Sequence, residues 1–350
     1  MNRIIKISSI LSLAALMAMP FSADAGNKDR AGSAGASQLL INPWARSGGL
    51  ANSNMASIRG VESIYLNVAG LAFTNSTDIV FTNSNYLVGT DIDINSFSLG
   101  QRIGETSVLS LSVTSMSFGD IPITTEAIPE GGIGSFSPTF SNLALSYAKE
   151  FSNSIYGGLT LRVISETISN VKASGIAFDA GIQYITGERE QIQFGIALKN
   201  VGPTMTYSGD GLSEAVTVIS NGTSINLNQK SADLELPSLI NIGFGYNFLL
   251  NDKMELQTSG QFTSNSFSRD QIGLGAAFDY NKLFQLRAGY LWEDKITDDI
   301  ERTTALTGLA GGLSVNVPIG ENESRIGFDY SYRTTVRFDG VHSIGVHIEL

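Results

Sequence analysis

"QIQFGIALKNVGPTMTY", residues 191–207, decides how the rest of the chain is read. In an extended conformation Ile192, Phe194, Ile196 and Leu198 fall on one side, and Gln191, Gln193, Gly195, Ala197 and Lys199 on the other, because successive side chains of a strand point to opposite faces. The alternation stops at Asn200-Val201-Gly202-Pro203, a run of turn-forming residues. In a soluble sandwich the apolar side of such a strand packs on a core. In a membrane barrel it meets lipid, and the small polar side faces the lumen.

The same alternation recurs to the end of the chain. Leu109, Leu111 and Val113 oppose Ser110, Ser112 and Thr114; Ile240, Ile242, Phe244, Tyr246 and Phe248 oppose Asn241, Gly243, Gly245 and Asn247; Ile326, Phe328, Tyr330 and Tyr332 oppose Arg325, Gly327, Asp329, Ser331 and Arg333. Period two over about ten residues is a strand signal. The polar sides are built from Gly, Ser, Gln and Asn with isolated charges, where solvated strands of soluble proteins carry more Lys and Glu. Tyr147, Tyr184, Tyr280, Tyr290 and Trp292 lie near strand ends, as an aromatic girdle requires. Lipid is therefore the predicted neighbour of the apolar sides, and Ile344, Val346, Ile348 and Leu350 extend that face through the last strand.

Composition agrees. The 350 residues are 42% hydrophobic and only 16% charged, with 37 Gly and no Cys, so a disulfide framework and thiolate metal sites are excluded. A net charge of −11 argues against a nucleic-acid partner. At the start, Arg3 and Lys6 precede an apolar run over residues 7–19, and Ala23-Asp24-Ala25 supplies a small-x-small cleavage motif, so residues 1–25 are predicted to be a signal peptide. The domain reading is a plug or hatch over residues 26–77 and a barrel over residues 78–350, all-β, antiparallel and transmembrane, with about 14 strands.

Connection lengths alternate. Short turns are expected at residues 103–106, 151–154, 186–190, 250–252, 281–283 and 318–323. Longer loops are expected at residues 119–138, 167–174, 201–237, 264–269, 293–303 and 334–340, with the short "VGTD" at residues 88–91 as the exception. Short turns on the side of the termini and long loops outside are the rule for outer-membrane barrels.

Residues 39–73, "LLINPWARSGGLANSNMAS" through "ESIYLNVAGLAF", resemble the N-terminal signature of the PorV/PorQ family through Asn42, Pro43, Ala45, Arg46, Gly49, Leu50 and Asn52, then Asn67, Ala69, Gly70 and Leu71, with Val68 where the family usually has Pro. "ALKNVGPTMTY" resembles the family's strand-to-loop segment through Lys199, Asn200, Gly202, Pro203 and Tyr207. The resemblance implies a FadL-like barrel in the outer membrane of a Bacteroidota-type bacterium. It also implies a part in type IX secretion: binding the C-terminal domains of secreted cargo, or docking beside the translocon barrel.

No catalytic constellation is visible, so an enzyme is not expected. No cofactor is expected either. His342 and His347 lie an odd number apart and face opposite ways. The acids of "WEDKITDDIE", residues 292–301, match no calcium-loop spacing and read as a solvated loop, with Ca²⁺ the sharper alternative. Residues 26–77 are too rich in small residues for strands, and Arg46 and Arg59 are expected to meet lumen acids such as Asp179, Asp279 or Asp329. Two loops exceed ordinary lengths. Their apolar Ile121, Ile123, Ile128, Val216, Val218 and Ile219 are candidate contacts for a partner, by strand addition or a hydrophobic patch. The second functional hypothesis is a FadL-like transporter of small hydrophobic molecules. An apolar interior pocket with a lateral gap between strands favours it, whereas a polar, glycine-packed and plugged lumen favours the first.

Overall fold

The computed structural model describes residues 26–217, 224–319 and 324–350, so the expected signal peptide and Val218 and Ile219 lie outside the described residues. In chain order the strands are β1 (Thr77–Tyr86), β2 (Ile92–Ile103), β3 (Ser107–Ser117), β4 (Ile121–Pro122), β5 (Ser135–Phe136), β6 (Thr139–Ser152) and β7 (Ile155–Ile168). They continue as β8 (Val171–Thr186), β9 (Ile192–Val201), β10 (Met205–Thr206), β11 (Ser213–Thr217), β12 (Ser224–Asn228) and β13 (Asp233–Leu234). The last seven are β14 (Leu239–Asn251), β15 (Met254–Asn265), β16 (Gln271–Tyr280), β17 (Phe284–Glu293), β18 (Leu306–Pro318), β19 (Arg325–Thr335) and β20 (Val341–Glu349). Fourteen of them close into one antiparallel barrel in the order β1-β2-β3-β6-β7-β8-β9-β14-β15-β16-β17-β18-β19-β20. The pairs β4–β5, β10–β13 and β11–β12 stand in the long loops. β1 meets β20 through pairs such as Asp78↔Glu349 and Phe81↔Val346. That closure leaves the barrel no open edge, which hydrocarbon could not solvate.

The wall sorts its side chains as the alternation requires. In β9 Phe194, Ile196 and Leu198 are exposed while Gln193, Ala197 and Lys199 are buried. Phe97, Leu145, Leu161, Phe178 and Ile242 join them on the outside, and a barrel wearing a continuous apolar band is a membrane-spanning fold. No helix among the described residues is long and apolar enough to cross a membrane, and this barrel crosses with strands. Inside, hydroxyls satisfy one another across strands: Ser84 meets Ser343 at 2.6 Å, and Ser146 meets Thr160 at 2.8 Å.

One connection differs from expectation. The stretch 167–174 is no loop. β7 and β8 run through it as a tight hairpin, pairing Thr167↔Lys172 and Ile168↔Val171, with Ser169 in the left-handed region at φ 52°. Ser169 and Asn170 at the tip are turn formers, but the partner strand supplies hydrogen bonds on either side that local sequence does not display.

The segment before β1 folds into short turns of helix, Ser37–Leu40, Ala45–Gly48, Ser63–Leu66 and Val68–Phe73. From Gly35 to Thr74 little of it is exposed: Trp44, Ala45, Met55, Val61 and Leu71 are buried. Trp44, Val61 and Leu71 pack with wall residues such as Val80, Val108, Ala148 and Ile185, and Met55 with Ala197. Glycines of the wall make room for it. A Cβ on Gly289 would stand 2.3 Å from the carbonyl carbon of Leu50, and one on Gly243 would stand 2.5 Å from Sδ of Met55.

Candidate functional site

The N-terminal motif residues hold this segment together and join it to the wall. Asn42 is buried; its Nδ2 donates to Asn52 Oδ1 at 2.6 Å and to Ser47 Oγ at 2.7 Å, and its carbonyl accepts from Arg333 at 3.2 Å. The carbonyl of Pro43 accepts from Ser84. Nε of Arg46 donates to Glu62 at 2.9 Å and Nη1 to Glu349 at 3.1 Å, with Asp329 4.0 Å away. A Cβ on Gly49 would meet Gly312 Cα at 3.0 Å. Asn67 caps the turn at Val68–Phe73 by accepting from the Ala69 amide, and its Nδ2 donates to the Ile182 carbonyl at 3.0 Å. Gly70 is needed because a Cβ there would stand 2.2 Å from the Ile58 carbonyl oxygen. Leu71 fills the core beside Trp44 and Val61.

Of the expected ion pairs, Arg46 finds Asp329 and the unforeseen Glu62 and Glu349. Arg59 instead lies 4.0 Å from Glu190 in a turn. Asp179 belongs to Arg162 at 2.7 Å, and Arg162 also donates to the Ile64 carbonyl. Arginines on the strands were as able to satisfy lumen acids as arginines on the segment, and sequence alone does not rank them.

The strand-to-loop motif makes a bulge. Phe178 pairs with Val201 and Ala180 with Leu198, so Lys199 and Asn200 both stand opposite Asp179, two residues against one. Asn200 takes φ 58°; its amide donates to Asp179 Oδ1 at 2.7 Å and its Nδ2 to the Pro237 carbonyl at 3.1 Å. A Cβ on Gly202 would be 2.0 Å from the Ile176 carbonyl oxygen, and Pro203 leads exposed into the loop. The ladder between β9 and β14 ends at Lys199↔Leu239. Beyond it the bond from Asn200 to Pro237 joins β9 to the segment leading into β14.

Two cavities adjoin at this place. The first, of about 340 Å³, lies in the lumen on the long-loop side of the N-terminal segment. It is lined by Tyr65, Leu66, Leu291 and Leu306 and also by Lys199, Gln261 and Arg333. The ammonium of Lys199 stands 3.8 Å above the ring of Tyr65, a cation–π contact in a desolvated place. The second, of about 290 Å³, is a groove in the wall bounded by Leu198, Val201, Leu236 and Ile240. Leu198, Val201 and Ile240 belong to the outward, lipid-facing row. Leu239 lines both.

Architecture and cavities can be compared with solved structures. No protein-family model matches the chain, and no curated protein matches its sequence. In structure it is similar to the Pseudomonas putida toluene transporter TodX, with a TM-score of 0.56 and 12% identity over 88% of this chain and 97% of that one. It is similar to the CymD monoaromatic hydrocarbon channel, with a TM-score of 0.54 and 14% identity over 92% and 97%. A Pseudomonas aeruginosa FadL homologue aligns with a TM-score of 0.51 and 13% identity over 87% and 98%. The fold is that of the FadL-type outer-membrane barrels. At these identities the likeness concerns the fold; PorV/PorQ membership stays a resemblance of motifs.

The loop candidates do not converge on the cavities. Ile121, Ile123 and Ile128 are exposed in the loop that carries β4 and β5. Val216 is exposed on the β11–β12 hairpin, opposite Ile225. In the acidic loop, Arg269 reaches Asp294 and Glu301. Asp298 Oδ1 accepts from the amides of Ile300 and Glu301 at 2.8 and 2.9 Å, and those two bonds hold its carboxyl below the usual Asp range. Sequence reasoning put Arg325 and Arg333 on the inward side but gave no sign that Tyr65, Leu239 and Arg333 share one cavity, because they come from three distant parts of the chain.

Proposed function

We propose that the chain is a non-enzymatic channel in the outer membrane of a Gram-negative cell, passing small, largely apolar solutes. The reading rests on Leu239, which borders both the lumen cavity and the groove in the lipid-facing wall. A solute entering from the long-loop end meets Tyr65, Leu66, Leu291 and Leu306. Residues 26–77 act as a plug that blocks its way straight down. It leaves past Leu239, where β9 bends away and the ladder to β14 has ended. Two fold neighbours are a monoaromatic hydrocarbon channel and a toluene transporter, which supports this choice of solute. Residues 1–25 direct export as a cleaved signal peptide.

The test is toluene uptake by cells lacking the native protein and carrying either the wild type or a Leu239 variant. Leu239→Trp should close the passage and Leu239→Ala should raise uptake severalfold. Equal uptake with and without the protein would end the proposal.

A second reading has its own support. The β11–β12 hairpin holds Val216, Ile225 and Leu227 exposed beyond the barrel mouth, a surface suited to strand addition. Together with the PorV/PorQ resemblance of a Bacteroidota-type chain, it favours a component of the type IX secretion system that binds cargo C-terminal domains or the translocon barrel. A pull-down from detergent-solubilised membranes separates the readings. Recovery of β-sandwich cargo domains, lost on Val216→Ser with Ile225→Ser, supports secretion; their absence leaves the channel.

A further inference from the structure

On the other side of the N-terminal segment, at the end bearing the C-terminus and the short turns, the lumen holds another cavity of about 340 Å³. Its lining carries the cations Arg46, Arg59, Lys282, Arg287 and Arg325 against the acids Glu62, Glu255 and Asp279. The surface is thus net positive within a chain whose formal charge is −11.

The two deepest cations are held from behind. Arg287 donates to Gln285 at 2.7 Å and to Ser314 at 2.6 Å, with Asp329 3.8 Å away. Arg46 is held by Glu62 and Glu349, with Asp329 4.0 Å away. Both guanidiniums therefore flank the same carboxylate, and each keeps one nitrogen back. Nη1 of Arg287 and Nη2 of Arg46 are buried and bond to no described residue. The Arg287 side chain is only 3% exposed. A desolvated charged donor without an acceptor is costlier than a neutral one. The planar fork of a guanidinium matches the paired oxygens of a carboxylate or phosphate.

We propose that this inner cavity is a binding site for a small hydrophilic anion bearing a carboxylate or phosphate, gripped between Arg46 and Arg287. The lining offers little to an alkyl tail, since Leu50, Ile58 and Ala277 are its apolar members. The site is separate from the route past Leu239 and does not rest on it.

The experiment uses the protein purified from outer membranes in a non-ionic detergent. Inorganic phosphate and succinate are titrated calorimetrically. Saturable binding of at least one is expected, weakening as NaCl rises. Arg287→Gln and Arg46→Gln should each lose roughly tenfold in affinity, the equilibrium effect of one charge-assisted hydrogen bond. Lys253→Gln, a turn cation outside the lining, should change it less than twofold. Heat-modifiable gel mobility checks folding. If either Gln variant fails to fold, the Lys variant at the same position, Arg46→Lys or Arg287→Lys, which keeps the charge but lacks the guanidinium fork, replaces it with the same expected loss. Three results would overturn the proposal: no saturable binding of either probe, affinity unaltered in the folded arginine variants, or affinity climbing tenfold from acetate to octanoate. The last would make the cavity a site for amphiphiles.

Discussion

Replacing Gly289 by Ala tests whether the N-terminal segment is seated against the wall as described. Gly289 faces inward on β17. An added Cβ would stand 2.3 Å from the Leu50 carbonyl carbon, 2.4 Å from its oxygen and 2.7 Å from the Ala51 nitrogen. Ordinary contact begins at 3.4 Å, so the segment must retreat by about 1 Å in an interior packed too tightly to absorb it. Backbone is the obstacle, and no rotamer change relieves it. The adjoining Ala51 and Asn52 are already in left-handed conformations at φ 50° and 63°, which limits how they can yield. Overpacking of this kind costs about 1–3 kcal/mol. Urea unfolding in detergent micelles should show a loss of that size, and limited proteolysis should cut within residues 26–76 correspondingly faster. Gly260→Ala is the control: its Cβ would meet Leu274 Cδ2 at 3.6 Å, so a change within about 0.5 kcal/mol is expected. Equal midpoints for wild type and Gly289→Ala, or equal losses in both variants, would refute the seating.

Arg162→Gln leaves Asp179 buried without its partner at 2.7 Å and should cost about 3–5 kcal/mol in the same unfolding assay; a loss under about 1 kcal/mol would show that the pair is not desolvated. Ile196→Arg places a charge on the outer face of β9, where Ile196 is 58% exposed; refolding into lipid vesicles should reveal a loss of about 2–4 kcal/mol, and an unchanged stability there would contradict lipid contact. The Asp298 carboxyl is held below its usual range by the Glu301 and Ile300 amides. The stabilisation of that turn is therefore complete above the unfolded Asp value of about 3.9 and is lost as pH falls through the lower native value; an NMR titration midpoint at or above the unfolded value would contradict it.

The sequence by itself determined the barrel. Period-two alternation of Ile, Leu and Phe against Gly, Ser and Gln fixes which face of each strand meets lipid, and side-chain parity needs no knowledge of partners. It failed at residues 167–174, where Ser169 and Asn170 read as a loop although β7 and β8 pair almost to the tip. It also matched Arg59 to the wrong acids.

Only the tertiary structure decided which residues meet inside the lumen. Asn42 bonds to Asn52, Ser47 and Arg333, Gly49 lies against Gly312, and Gly70 against Ile58, contacts that the spacing of the motif does not display. The Leu239 border and the free nitrogens of Arg46 and Arg287 arise where residues far apart in the chain converge after closure. The physical reason is that parity is a local property of an extended chain, whereas a cavity is defined by the register and curvature of fourteen strands and by the segment packed inside them.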